Sequence, residues 1–504
     1  MSKIRVPLFG PYTNRISSVN SQDTSSGYVG IGIIGLMVVG ATSASSTKDA
    51  KYVNCFGMTV PDALTGKTKL YTVKRPGWAT SVTPSAGNIG TAIFVWTGSS
   101  SGTDVISAFG STNSTIYNGT TSLGAITGKA RAINETVVGT TATLLVASGD
   151  NTGWYYDTGV GVMTKIADAD FPGNAGKTTV GGFAVIDGFN CIMDTTGALW
   201  ASDLNSVTAW TSTSFDTANS YADKGVGCVR HRNFVMAFGT ESIEFYQNAG
   251  LSPFPLAKAS AMTVKVGAIS ADAIAQIADT TFWAGSTPQG GISVFQYDGG
   301  LSRISTPEID TNLILAGASN ISLTTLRIYG RSMVLVKAGA STYVYVDVLH
   351  ENTSYAWSST TPLWTKCVGV SLGGTMVNYA VSNISTSGKV YVMNPALLVF
   401  TDDGTTYTAR VQLPKMDMGN MYRKFYRMVQ VVGDVETTSS TLTVSYSDDD
   451  YQSYTVAGTV DLSNDERYLF RLGSSNRRAW VLTHSANTPM RLEALEVDVK
   501  VGRH

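Results

Sequence analysis

Residues Leu144–Asp157 read LLVASGDNTGWYYD: an apolar strand, a turn over Gly149-Asp150-Asn151-Thr152-Gly153, and a second strand ending in aromatics and an aspartate. Gly, Asn and Asp supply turn geometries that most residues resist, and the flanks suit a pleated, half-buried surface. The theme returns at Phe183–Asp194 (FAVIDGFNCIMD), Phe234–Tyr246 (FVMAFGTESIEFY), Phe282–Asp298 (FWAGSTPQGGISVFQYD) and Met333–Asp347 (MVLVKAGASTYVYVD). Asn378–Met393 is a weaker copy, and Ile93–Phe109 an earlier one. The starts are spaced by roughly 40 to 50 residues, the blade period of a β-propeller. One such unit cannot bury both faces, whereas radial packing buries them and leaves only short edges. A pair of β-sandwiches also uses short strands and frequent turns. The regular period favours the propeller, with about six to eight blades.

Composition fits an all-β chain. Of the 504 residues 14% are charged, against roughly 25% in an average soluble protein. Ser, Thr and Gly fill the difference, which suits closely spaced strands and turns. The length allows two to four domains and a large core. The formal net charge is −1, so total charge gives no argument for a nucleic-acid partner, although a local lining can differ from the total. Cys55, Cys191, Cys228 and Cys367 lack C-x-x-C spacing and read as buried, reduced packing residues. The N-terminus lacks the apolar run of a signal peptide. The Gly-broken stretch Val29–Ala41 is shorter than the about 20 residues a membrane-spanning helix needs, so no membrane span is expected; a buried strand or packed arm is.

Three parts are expected: an N-terminal arm and hairpin over 1–80, a propeller-like body over 81–400, and a C-terminal antiparallel sandwich over 401–504. In the arm, Tyr52–Phe56 pairs with Lys69–Val73 around turn residues Pro61-Asp62 and Thr65-Gly66-Lys67. Lys74, Arg75, Pro76 and Gly77 follow as a structural turn or interface that locks the hairpin to the first blade. Pro76 holds its neighbour extended, and Gly77 can take a positive φ. The sandwich strands are expected at Thr408–Leu413, Arg423–Val432, Thr441–Ser447, Tyr468–Leu472, Ala479–Thr483 and Leu492–Val501. Ser270–Ile277 is the one short helix candidate.

Nothing in the chain spells out a reaction, and no catalytic, cofactor or metal site is expected. Gly173-Asn174-Ala175-Gly176-Lys177-Thr178 suggests a phosphate loop, but the first Gly of that motif would fall at Phe171 and no helix follows. It reads as a turn between blades. Ser445–Thr455 (SYSDDDYQSYT) resembles a degenerate Asp box and reads as a solvated hairpin carrying Asp448, Asp449 and Asp450. Asp168 and Asp170 lack the further oxygen ligands of a calcium loop. His231, His350, His484 and His504 stand in no hydrolase motif. The basic clusters Arg423-Lys424 with Arg427, and Arg477-Arg478, read as solvated strand ends, the alternative being contact with an acidic subunit or DNA phosphates.

The stretch Lys51–Trp78 (KYVNCFGMTVPDALTGKTKLYTVKRPGW) nevertheless resembles the front end of the tail-hub, nozzle or packaged-DNA stabilisation proteins of short-tailed bacteriophages. Asn233–Asn248 (NFVMAFGTESIEFYQN), Thr281-Phe282-Trp283 through Asp298, Ile304–Ile309 and the C-terminal Tyr422–Arg427 and Leu442–Asp449 are similar to the same family. The segments Val29–Ala41 and Thr42–Thr47 match nothing in it. The resemblance implies a non-enzymatic virion protein of the phage tail, made in the host bacterial cytoplasm. It implies a homo-oligomeric ring, usually a hexamer, below the portal and its adaptor protein, which extends the DNA channel and retains packaged double-stranded DNA until ejection. Needle, spikes or fibres are the further tail partners. A propeller glycan hydrolase or depolymerase, or a lectin-like receptor-binding module, is the alternative.

Overall fold

The repeating hairpins build seven blades of four antiparallel strands among the described residues, six of them separate four-stranded sheets and one the end of a nine-stranded sheet. This computed structural model describes the strands Ser2–Pro7 and Tyr28–Val29, and residues 51–502 apart from 62–67, 85–86, 99–103, 219, 222, 288–289, 347–354, 358–363, 373–374, 395, 397 and 419. Most of Val29–Ala41, all of Thr42–Thr47, the turn residues Asp62 and Thr65–Lys67, and His350 and His504 lie outside the described residues.

The sheets cover residues 90–126, 130–165, 179–217, 225–258, 274–303, 321–357 and 364–393, here blades one to seven. The first strand of each blade is innermost. Gly90–Trp96 packs on Ala130–Val138, that strand on Thr179–Ile186, and so on round to Trp364–Leu372, which returns to Gly90–Trp96. Thr365 Oγ1 donates to Gly90 O at 2.5 Å across this closure. Blade seven has three strands of its own and takes its outermost one, Ala79–Val82, from the chain ahead of blade one. First and last parts of the body are thereby stitched together, and the all-β, propeller-like reading of the sequence holds.

Turn chemistry fixes the blades locally. In blade three, Asp194 Oδ1 accepts from Thr196 N at 2.8 Å and Thr196 Oγ1 at 2.6 Å, while its Oδ2 accepts from Trp200 Nε1 at 3.0 Å. Asp150 accepts from Thr152 in the same way in blade two. A carboxylate that satisfies the turn's own donors removes the need for water there, so the hairpin end can sit against its neighbours. The seven sequence units each fall in a different blade. They are not the same hairpin, however: in blades one and three they match the first and second strands, elsewhere the second and third.

The expected separate arm over 1–80 meets a different pairing. Ser2–Pro7 pairs with Arg491–Val501, Thr68–Lys74 pairs with the other end of the same strand, and Lys51–Val53 pairs with Ala409–Gln412. Hairpin pairing of Cys55–Pro61 with Thr68–Lys74 does occur, with Asn54 (φ 55°) breaking the first strand into two. The N-terminal strands thus complete two sheets whose other members are C-terminal. One carries Arg491–Val501, Lys424–Gly433 and Tyr468–Phe470. The other runs Ala409–Gln412, Ala479–His484, Thr441–Ser447, Thr455–Asp461. The last of these strands was not anticipated from the sequence.

Lys51–Val53 also pairs, in parallel, with Tyr355–Trp357, the outermost strand of blade six. A nine-stranded sheet therefore continues from the propeller into the C-terminal sheets. The two bodies share one core. Trp78, Leu326, Trp364 and Tyr391 from the propeller side belong to the same buried cluster as Tyr52, Val411, Tyr426, Leu442, Trp480 and Leu492. At about 1.5–3 kcal/mol for each large apolar side chain withdrawn from water, separating the bodies costs too much for them to move independently.

The helix candidate Ser270–Ile277 is a single 3-10 turn, Ala271–Ala273, followed by the strand Ile274–Ile277. Pairing of that strand with Thr280–Thr287 overrides the helical propensity of its alanines. The one α-helix among the described residues, Pro307–Ala316, lies after blade five. Thr306 caps it, Pro307 opens it, and Gly317 (φ 76°) ends it.

Candidate functional site

Lys74-Arg75-Pro76-Gly77 leaves the sandwich strand Thr68–Lys74 and delivers the chain to Ala79–Val82, the closing strand of blade seven. The sequence reading attached this turn to the first blade; it anchors the last, because the outermost position of the final sheet is the one left open for a strand arriving from outside the ring.

Both basic side chains are buried here, Lys74 at 0% and Arg75 at 1% exposure. The Arg75 guanidinium grips Asp402 with two parallel bonds, Nη1 to Oδ1 at 2.9 Å and Nη2 to Oδ2 at 2.5 Å. Its Nε donates to Asn54 Oδ1 at 2.8 Å, and Nη1 also donates to Pro76 O at 3.0 Å. The plane lies 3.8 Å from the Tyr407 ring centroid, and the Tyr407 hydroxyl donates to Arg75 O. Burial opposes the charge, but Asp402 and Tyr407 outweigh it and raise the guanidinium above its ordinary value. Asp402 Oδ1 also accepts from Trp78 N at 3.3 Å. One arginine therefore joins the N-terminal strands, the approach to blade seven and the hairpin after it.

Lys74 points the other way. Its Nζ donates to Ala486 O at 2.6 Å, lies 3.4 Å from His484 Nδ1 and sits 4.8 Å above the Tyr407 ring. Burial, then the charge of Arg75, bring its ammonium down to about 8. The other imidazole nitrogen of His484 is 2.8 Å from Ser440 Oγ. A Ser–His contact of this kind can activate a nucleophile, but Ser440 and His484 are both fully buried. Burial, then Lys74, push His484 down to about 4, so at neutral pH it is an uncharged strut.

Gly77 serves a purpose other than the expected one. Its φ is not positive. A Cβ there would lie 2.1 Å from Thr401 O and 2.6 Å from Thr401 N, and Gly77 N donates to Val399 O at 2.7 Å. Glycine is required because two backbones touch.

A second joint of the same design lies inside the sandwich, where solvated strand ends were expected. Arg478 is 1% exposed, bonds Asp448 through Nε and Nη2 at 2.8 Å each, and lies 3.7 Å from the Tyr446 ring centroid. Lys424 is fully buried, with Nζ donating to Asn420 O, Tyr422 O and Asn476 O. Asp448 is therefore a structural counter-ion, while Asp449 accepts from Ser447 and Ser453 as a hairpin brace.

The remaining candidates resolve into structure. Lys177 is exposed in a turned segment between blades two and three. Asp168 braces Asp170 N and Trp210 N. His231 is buried, with Nδ1 3.0 Å from Thr281 Oγ1. The four cysteines are buried and free. Among the described residues no group of three or more His, Cys, Asp and Glu is placed to hold a metal ion, and no helix is long and apolar enough to cross a membrane.

Along the innermost strands, groups from four blades converge. Lys366 of blade seven meets Asp272 of blade five at 2.6 Å. The protein around Asp272 would raise its carboxyl, but the side chain is open to solvent, and Lys366, Lys129 and Arg131 hold it below its usual range. Arg131 Nη1 in turn donates to Thr179 O of blade three at 2.6 Å.

The family model described as Bacteriophage P22 Gp10, beta-propeller (phage stabilisation) matches residues 105–365. No curated protein matches the sequence. Similar solved structures include BamB from Moraxella catarrhalis, 11% identical over 68% of this chain and 99% of that one, TM-score 0.36. Raptor from Chaetomium thermophilum is 9% identical over 64% and 28%, TM-score 0.37. U3-55K is 6% identical over 63% and 99%, TM-score 0.40.

Proposed function

The chain belongs to the packaged-DNA stabilisation, or tail-hub, family of short-tailed bacteriophages and is a structural protein of the phage tail, and from that premise we propose that it assembles into a closed ring that retains the packaged genome. The ring is sixfold in this reading. It sits below the portal and its adaptor protein, continues the channel for double-stranded DNA, and carries needle, spikes or fibres. Its role is mechanical and not enzymatic.

The observation that carries the reading is the family match, which falls on the propeller from the second strand of blade one to the start of blade seven. The shared core and the Arg75 joint support it, because they make propeller and sandwich a single rigid body. Identical rigid subunits with one repeated heterologous contact close into a ring when the rotation divides a full turn. We also propose two structural units in place of three: the propeller, near the expected limits of 80 and 400, and a sandwich assembled from residues before 80 and after 400.

The test is a phage depleted of this protein. The expectation is that heads package normally and then lose DNA, and that adding the purified chain restores retention. Depleted particles that keep their DNA and fail only in host attachment would instead support the receptor-binding alternative.

A further inference from the structure

The strand Arg491–Val501 needs a neighbour that comes from the far end of the chain. One of its sides is paired along its length with Lys424–Gly433. The other side takes Thr68–Lys74 only at Arg491 and Leu492, and from Ala494 to Val499 it takes Ser2–Pro7. Leu495 and Val497 on this stretch are fully buried in the core that propeller and sandwich share. With that side unfilled, the core would end on an open row of backbone donors and acceptors, a template for any strand that arrives.

The register of the arriving strand is written in both sequences. Lys3 stands opposite Asp498 and Arg5 opposite Glu496, while Ile4 and Val6 stand opposite Val497 and Leu495. Directly opposed residues share a face of the sheet. Cation positions therefore lie across from carboxylates on the outer face, and apolar positions lie across from the core residues on the inner one. A slip by one residue would set Ile4 against a carboxylate. Arg427 also approaches Asp498, at 3.9 Å, beyond hydrogen-bond length.

Among the described residues Ser2–Pro7 pairs otherwise only with Tyr28–Val29, which pairs with nothing further. Residues 30–50 separate that pair from Lys51–Val53, where the chain enters the nine-stranded sheet. A link of that length reaches up to about 70 Å fully extended, roughly three times the radius of gyration of about 23 Å expected for a compact chain of this size. We propose that in the ring Ser2–Pro7 of each copy completes the sheet of the next, along Ala494–Val499. Backbone bonds and register are the same whichever chain supplies the strand, so exchange is a low-cost route to assembly. Donor and acceptor are unlike surfaces, so the contact is heterologous and repeats in one direction until it closes. The core of each copy then depends on its neighbour, and the ring is held by sheet continuity as well as by surface contacts.

This inference rests on the ring reading above, and register-matched cysteines separate the two. Lys3→Cys with Asp498→Cys, and in a second chain Ile4→Cys with Val497→Cys, occupy successive register pairs, one of which has the closer, non-hydrogen-bonded geometry. The four native cysteines are buried. Rings of the full-length variants are oxidised, denatured without reductant and separated by size. One variant is expected to give a ladder of covalently linked chains up to ring size, collapsing to single chains on reduction. Loops closed within single chains, with the ring intact by native mass spectrometry, overturn the exchange and leave the ring; so does the absence of any link in both variants. If neither variant assembles, charge reversal replaces it: Lys3→Glu with Arg5→Glu in one chain, Glu496→Lys with Asp498→Lys in another. Each alone is expected to need about tenfold higher concentration to assemble. Their mixture is expected to assemble as wild type does, because every strand that crosses then meets opposite charges. Unimpaired assembly of either alone, or a mixture no better than its components, overturns the exchange. A wild-type chain that stays monomeric removes the ring, and the exchange with it.

Discussion

Replacing Arg75 by methionine removes the guanidinium while keeping most of the stem and a sulfur contact to Tyr407. The loss falls on Asp402, whose side chain is 17% exposed and is left charged without its bidentate partner. Deleting one member of a buried pair costs about 3–5 kcal/mol, because the survivor keeps its desolvation penalty. The partial exposure of Asp402 puts the expected cost near the lower end, about 3 kcal/mol. Methionine also leaves Asn54 Oδ1 and Pro76 O without the bonds they now accept. Calorimetry is the assay, since a body with one shared core should unfold in one transition. A loss of this size lowers Tm by about 6–12 °C in a large domain. The second arm is Arg75→Met with Asp402→Asn, which removes the stranded charge but keeps an acceptor for Trp78 N. That double variant should recover at least half of the loss. A single variant within about 0.5 kcal/mol of wild type, as for a surface ion pair, would refute the joint, as would a double variant no more stable than the single.

Gly77→Val should be more damaging still, because its Cβ meets the Thr401 backbone and no rotamer relieves that; overpacking costs about 1–3 kcal/mol before the neighbouring bonds are counted, and normal soluble yield and Tm would dismiss the close approach as a constraint. Stability should fall on acidification: His484 titrates near 4 in the fold against an ordinary 6.5, so the unfolded chain takes up the proton first and stability present above pH 6.5 is lost as pH drops through 4. For this fully buried ring the loss is about 3 kcal/mol, Lys74 staying protonated throughout the window, and His484→Gln should flatten the urea-midpoint profile between pH 7 and 4.5. Lys177→Ala should change neither stability nor assembly, and the purified protein should not turn over ATP or capsular polysaccharide; turnover that disappears in this variant would reopen the phosphate-loop reading.

The propeller was legible because its rules are local. A Gly-Asp-Asn turn between apolar strands says hairpin wherever it occurs, and repetition at a blade-like spacing says radial packing. The capped helix Pro307–Ala316 carries equally local signals, Thr306-Pro307-Glu308 before it and Gly317 after it, but they are short beside the strand pattern that surrounds them. The sandwich was half legible. Its strands alternate well enough to be found, but that Ser2–Pro7 and Lys51–Val53 belong among them depends on pairing across more than 350 residues, and no local propensity encodes that.

The joint was legible as a turn but its burial was not, and the reason is physical. Before Pro-Gly a lysine and an arginine look like a solvated turn, since most charged residues are exposed. Arg75 and Arg478 reverse the expectation by the same device: a guanidinium with a bidentate carboxylate and an aromatic face is compensated enough to be buried. Each stands where strands distant in sequence meet, Arg75 with Asp402 and Arg478 with Asp448. An apolar contact at such a place tolerates sliding, whereas a planar fork accepts only one geometry. Arg75 therefore holds the angle between propeller and sandwich more sharply than the surrounding core does, while Arg478 fixes strands within the sandwich. If ring closure depends on that angle, Arg75→Lys is the discriminating change. It keeps the charge and loses the fork, so it should broaden the distribution of oligomers in native mass spectrometry more than it lowers Tm. Rings of unchanged size and sharpness in Arg75→Lys would show that the core alone sets the angle.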